Sequence, residues 1–135
     1  MQEPPPVPPP PPDYGAAAQA ASNSKLYTIL AWLLAPPLGS FVMIFVAGKT
    51  EPDAKFNAAN ATAVHGVMLV GYFVLWVLAH ALFPFWVLVY LWDIAWFVIW
   101  VYGVVLAVQS EGRRFRFPVA TDSLAGLITT LEGLG

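Results

Sequence analysis

Residues 57–109 read NAANATAVHGVMLVGYFVLWVLAHALFPFWVLVYLWDIAWFVIWVYGVVLAVQ, and Asp93 is the one Asp, Glu, Lys or Arg among them. A bilayer core of about 30 Å is crossed by about 20 apolar residues in helix, so this stretch is long enough to cross twice. Pro84 divides it. The residue before a proline is pushed out of the helical region, and no polar loop separates the two halves. The reading is therefore two spans, residues 58–83 and 85–109, joined as a tight antiparallel hairpin.

Upstream, residues 26–48 (LYTILAWLLAPPLGSFVMIFVAG) supply a third apolar segment, with Pro36 and Pro37 at its middle. Each proline lacks a backbone N–H and crowds the carbonyl four residues back, so the carbonyls of Trp32 and Leu33 lose their usual partners. A kinked or broken helix is expected. Each half is too short to cross alone, which favours a single kinked span. The fold class that follows is all-α, a three-span transmembrane protein with a kinked first helix and a tight hairpin between the second and third.

Composition agrees with a membrane protein. The 135 residues are 59% hydrophobic and 10% charged, against about a quarter charged in ordinary globular chains. Mean hydropathy is +0.67. There is no Cys, which removes disulfides, thiol catalysis and thiolate metal sites. The few basic residues gather at segment ends, a pattern of membrane orientation rather than of phosphate tracking, so no nucleic-acid partner is expected. Residues 1–12 hold eight prolines and no basic residue. They read as a polyproline II tail, not as a secretory leader. Residues 13–24 read as a small, polar linker. The domain organisation is thus a disordered proline-rich tail (1–24), a transmembrane domain (25–118) and a short amphipathic or disordered C-terminal segment (119–135).

Lys49, Lys55, Arg113, Arg114 and Arg116 flank the spans on one side and Lys25 on the other. That asymmetry places the first loop and the C-terminus in the cytoplasm and the proline tail outside. In the last segment Leu124, Leu127, Ile128 and Leu131 recur at helical spacing, a stripe that either docks on the bundle or the membrane surface or simply frays.

The candidate polar site is intramembrane. Trp86, Tyr90, Asp93, Phe97 and Trp100 fall on one face of the third helix, and His65, Leu69, Tyr72, Trp76 and His80 on one face of the second. Both stripes are expected to face protein, with Trp86 and His80 also suited to an interfacial aromatic belt. Asp93 lies about 12 Å into its helix by helical rise, level with Leu33 if the first and third helices run parallel. A neutral Asp93 donating to the Leu33 carbonyl is the structural reading, with Tyr72 and Trp76 as alternative partners. A proton or cation path is the functional one, and binding of a partner is a third. Neither His65 nor His80 is level with Asp93, and no metal, cofactor or nucleophile–base pattern is present. Ala58, Thr62 and Gly66 recur every four residues, a small-residue seam for close helix packing by the first helix or by a second copy.

Residues 39–56 (GSFVMIFVAGKTEPDAKF) leading into NAANATAVH, together with residues 107–118 (AVQSEGRRFRFP), resemble a bacterial family of uncharacterised small multi-span membrane proteins. That family is similar to the Tic-twenty-type subunit of the chloroplast inner-envelope import machinery. Lys49, Pro52 and Phe56 carry the loop of the pattern, and Gly112, Phe115, Phe117 and Pro118 its C-terminal signature. The resemblance covers residues 25–118. Where the family has a His and a Gln after the loop aromatic, this chain has Asn57 and Asn60. The resemblance implies an integral protein of a bacterial plasma membrane, oligomeric or accessory to a membrane complex, with no established activity. The expectation is a non-enzymatic accessory or scaffolding subunit, its partners the lipid bilayer and either its own copies or other membrane subunits. The alternative is a small oligomeric channel or proton-coupled transport subunit using Asp93.

Overall fold

The computed structural model describes Pro9, residues 13–34 and residues 36–134. The proline run of the first twelve residues, Pro9 apart, lies outside them. All regular structure among the described residues is helical. The elements are α1 (Tyr14–Leu33), α2 (Leu38–Ala47), α3 (Pro52–Ala81), a 3-10 turn (Phe83–Phe85), α4 (Trp86–Gln109), α5 (Ala120–Ser123) and α6 (Ala125–Glu132). Two of them, α3 and α4, are long and apolar enough to cross a membrane.

The hairpin of α3 and α4 turns at Leu82 and the 3-10 turn, where Pro84 can take no part as a donor. Pro52 opens α3, a position where a missing N–H costs nothing, and Asp53 in the first turn complements the helix dipole. The pairing register is fixed by two indoles of α4. Trp92 Nε1 donates to the Met68 carbonyl (2.9 Å) and Trp96 Nε1 donates to His65 Nδ1 (2.8 Å).

The first apolar segment does not make the single kinked span expected of it. Helix α1 stops at Leu33 and α2 starts afresh at Leu38, and the two fold back on each other. Tyr27, Leu30 and Ala31 of α1 share a cluster with Met43 and Ile44 of α2 and with Ala58, Ala59 and Ala63 of α3. Both ends of the segment come to one place. Ser24 Oγ donates to the Gly112 carbonyl (2.8 Å), Lys25 Nζ pairs with Glu111 Oε2 (2.6 Å), and Ala20 and Ser24 line one cavity with Glu51, Pro52 and Asp53. A straight crossing by residues 26–48 would set those ends about 33 Å apart. The segment is instead a helical hairpin whose two ends lie together at one end of the molecule.

The reason is local. Two successive residues that cannot donate end α1, and Gly39 lets the chain reverse tightly, since a Cβ there would strike the Leu34 carbonyl. Ser40 Oγ then donates to the Pro37 carbonyl (2.8 Å). The apolar part of α1 and the whole of α2 are each about 15 Å long, half the depth of a bilayer core.

Direction along the bundle follows. Thr28 meets Asn57 and Trp32 meets His65, so α1 runs parallel to α3. Ser24 meets Gly112, and the Trp32 ring fills the space a Cβ on Gly103 would need, so α1 runs antiparallel to α4. The sequence reading had the first helix parallel to the third, which the hairpin reverses. Lys25 therefore joins the other five basic residues at one end of the molecule.

At that end α3 is surrounded. Ala54, Ala58, Ala59, Ala61 and Ala63 are buried among α1, α2 and the C-terminal segment. Beyond Met68 the same helix has one fully buried residue, Ala79. Residues 14–24, expected as a linker, are the first turns of α1. The C-terminal stripe docks on the bundle. Ile128 is 2% exposed in the α1–α3 cluster, with Leu124 and Leu131 against it and Leu127 left outside. Of the small-residue seam, Ala58 lies in that cluster, whereas a Cβ on Gly66 would meet open space.

Candidate functional site

Asp93 stands on the outer face of α4, with Tyr90, Ile94 and Phe97 exposed around it. It makes no hydrogen bond or ion pair among the described residues. With Pro36, Trp96, Phe97 and Trp100 it lines a shallow, open cavity of about 340 Å³ at the tip of the α1–α2 hairpin. The proline break does meet Asp93 at one cavity. The expected bond to the Leu33 carbonyl is not made. Trp32 lies against Gly103, and Asp93 is ten residues, about 15 Å of rise, nearer the hairpin turn.

Of the aromatic stripe carrying Asp93, the middle (Tyr90, Asp93 and Phe97) faces outward, while Trp86 and Trp100 at its ends are half-buried. The buried face of α4 is a different one, with Val89, Gly103 and Ala107 fully covered and Trp92 and Trp96 bonded to α3. Small residues let α1 approach, and the indole N–H groups find acceptors on α3. Both needs outrank the aromatic stripe.

The other candidates separate. His65 is buried, its Nδ1 taken by Trp96 and its ring set edge-on to Trp32 at 5.4 Å. Tyr72 packs on Trp96 with ring centroids 6.4 Å apart. His80 Nδ1 donates to the Trp76 carbonyl (2.8 Å), and its ring lies between Trp76 (4.1 Å) and Trp86 (5.1 Å) near the 3-10 turn. Leu33 is exposed at the end of α1. Asp93, His65 and His80 thus occupy three environments, and no group of three His, Asp or Glu among the described residues could hold a metal ion.

The densest polar construction lies at the basic end, and the sequence reading did not find it. Asn57 Nδ2 donates to Thr28 Oγ1 (3.1 Å) and to the Arg113 carbonyl (2.9 Å), while the Phe115 N–H donates to Asn57 Oδ1 (3.2 Å). One turn on, the Phe117 N–H donates to Thr121 Oγ1 (2.7 Å), which donates to Asn60 Oδ1 (3.2 Å). Asn57, Asn60 and Thr28 are fully buried. Two amides on α3 thereby hold α1, α5 and the extended strap of residues 113–117. Phe115 and Phe117 then pack on Trp32, the latter stacked at 5.4 Å.

Outside this core Arg114 Nε pairs with Asp53 Oδ1 (3.0 Å), Arg114 Nη2 with Glu132 Oε1 (2.8 Å), and the guanidinium covers the Phe56 ring at 4.8 Å. Arg116 pairs with Asp122 (3.3 Å). These are exposed pairs, each worth about 0–1 kcal/mol, and they align the strap more than they stabilise it. A signal for the polar core existed in the sequence: two asparagines three residues apart among the alanines near the start of α3.

A family model described as the magnetosome magnetite crystal formation protein family matches residues 19–124, well over half of the chain. The matched stretch takes in the α1–α2 hairpin, both long helices, the strap and α5. No curated protein and no solved structure matches the chain. Nothing in these comparisons supports the likeness to the chloroplast import subunit.

Proposed function

The chain belongs to the magnetosome magnetite crystal formation protein family, and from that premise we propose that it is a non-enzymatic scaffold in the membrane that encloses the growing crystal. The family match carries this reading, and the two apolar helices supply the membrane location. The basic end faces the cytoplasm in this proposal, supported by all six Lys and Arg residues gathering there.

That orientation leaves the turn around Pro84, residues 81–86, as the part nearest the mineral. It reads ALFPFW and carries no charge. A surface that templates an iron oxide needs oxygen ligands, and hard cations are held by carboxylates. Asp53, Glu111, Asp122 and Glu132 are instead paired with Arg or Lys at the opposite end. The chain therefore acts on the crystal indirectly, by organising the membrane or other membrane subunits, copies of itself included.

The transport alternative has one supporting observation, the exposed Asp93 carboxylate inside a span. A path normally needs further titratable groups within reach, and the cavity around Asp93 is otherwise lined by Pro, Trp and Phe.

The test is made in a magnetosome-forming host. Removing the chain should change the size or number of crystals, and Glu111→Gln with Asp122→Asn should leave them normal. Crystals unaffected by removal, or lost in the double variant, would contradict the scaffold reading.

A further inference from the structure

The α1–α2 hairpin reaches only part of the way along α3 and α4. From Gln109 to Trp86, α4 extends about 36 Å, while the apolar part of α1 and the whole of α2 are each about 15 Å. At the basic end the cross-section holds four helices, with α5, α6 and the strap packed on α3. At the other end it holds two. Burial follows the same division: residues 57–61 of α3 are all buried, whereas Val70, Phe73, Val74, Val77 and Leu82 are each about half exposed or more.

We propose that this shape makes the protein a one-leaflet wedge whose fitting partner is a strongly curved lipid bilayer, convex on the side of the basic end. The proposal rests on the membrane reading and is independent of any role in crystal growth. The hairpin is half a bilayer deep, so its added area falls in one leaflet. Expanding one leaflet relative to the other bends the membrane toward the expanded side, the same lever by which interfacial helices respond to curvature. The hairpin cannot reach the second leaflet, because Pro36, Pro37 and Gly39 turn it back. It cannot leave the first without exposing Trp32 and Ile44, both fully buried. With the basic end in the cytoplasm, the favoured shape is a membrane bulging into the cytoplasm, that of a small internal vesicle or invagination.

The chain has no Cys, so single labels report orientation cleanly. Ser123→Cys marks the basic end and Phe83→Cys the tip, both at exposed positions. The full chain is reconstituted into phosphatidylcholine–phosphatidylglycerol vesicles of about 30 nm and about 200 nm diameter and reacted with a membrane-impermeant maleimide. Near-equal orientations are expected in large vesicles. In small ones the basic end should lie outward about three times as often as inward, a ratio equivalent to about 0.7 kcal/mol. Phe83→Cys should show the complement. Pro36→Leu with Pro37→Leu, which lets the first segment run on as one helix, should abolish the dependence on diameter. Labels at the two ends that fall on one side would overturn the membrane-spanning reading itself. Labels on opposite sides whose ratio ignores diameter would overturn the wedge alone, as would a double-proline variant with undiminished bias.

Discussion

At the residue scale, the most conspicuous group in the sequence and the most connected group in the fold are different residues. Asp93 was legible because a charge in an apolar run is costly, about 2.5–3.5 kcal/mol at mid-helix on insertion scales. Its surroundings were not legible, because they depend on the hairpin reversing the first helix. In the fold it bonds to nothing among the described residues, so Asp93→Leu should change the monomer's unfolding free energy by less than about 0.5 kcal/mol. A loss of several kcal/mol in detergent would show a partner that the fold lacks. Asn57 is the opposite case. Asn57→Ala strands the half-buried Arg113 carbonyl and Phe115 N–H, and should cost about 1–3 kcal/mol in the same assay. A loss under 1 kcal/mol would mean the strap is held without it. The two asparagines were visible as departures from a family pattern. Their role could not be read from sequence, since their partners lie up to 61 residues away.

At the scale of the element, the α3–α4 hairpin followed directly from residues 57–109, because length, apolarity and Pro84 left one arrangement. The first segment was read as kinked or broken within one span, and it breaks into two helices that fold back on each other. Helical periodicity cannot tell a kinked helix from two helices folded together. The difference lies in Gly39 and in whether Ser24 and Glu51 end up side by side. The C-terminal stripe could not choose between docking and fraying until Ala58, Ala59 and Ala63 offered a surface flat enough to receive Ile128. Ile128→Ala should therefore destabilise the fold by about 2–4 kcal/mol, as for a buried aliphatic side chain, and release α6 to proteolysis. An unchanged cleavage pattern and stability would place α6 elsewhere. A β-branched side chain in place of Gly103 meets the Trp32 ring directly. Gly103→Val should displace that indole, read as a shift of tryptophan emission, and lower stability by about 1–3 kcal/mol as overpacking does.

At the scale of the whole molecule, the first apolar segment folds back so that both its ends lie at the basic end, and in the membrane it is expected to enter and leave on one side. It brings Lys25 into line with the other basic residues and gives the molecule its broad and narrow ends. The family match identifies the setting but does not decide the path of the chain. Paired labels decide it. In a uniformly oriented preparation, Ser22→Cys before the hairpin and Thr50→Cys after it are reacted with an impermeant maleimide. Both sites are exposed, and both should react from the side that also labels Ser123→Cys. Ser22→Cys protected while Thr50→Cys and Ser123→Cys react would put the N-terminus across the membrane, restore a three-span protein and contradict the hairpin.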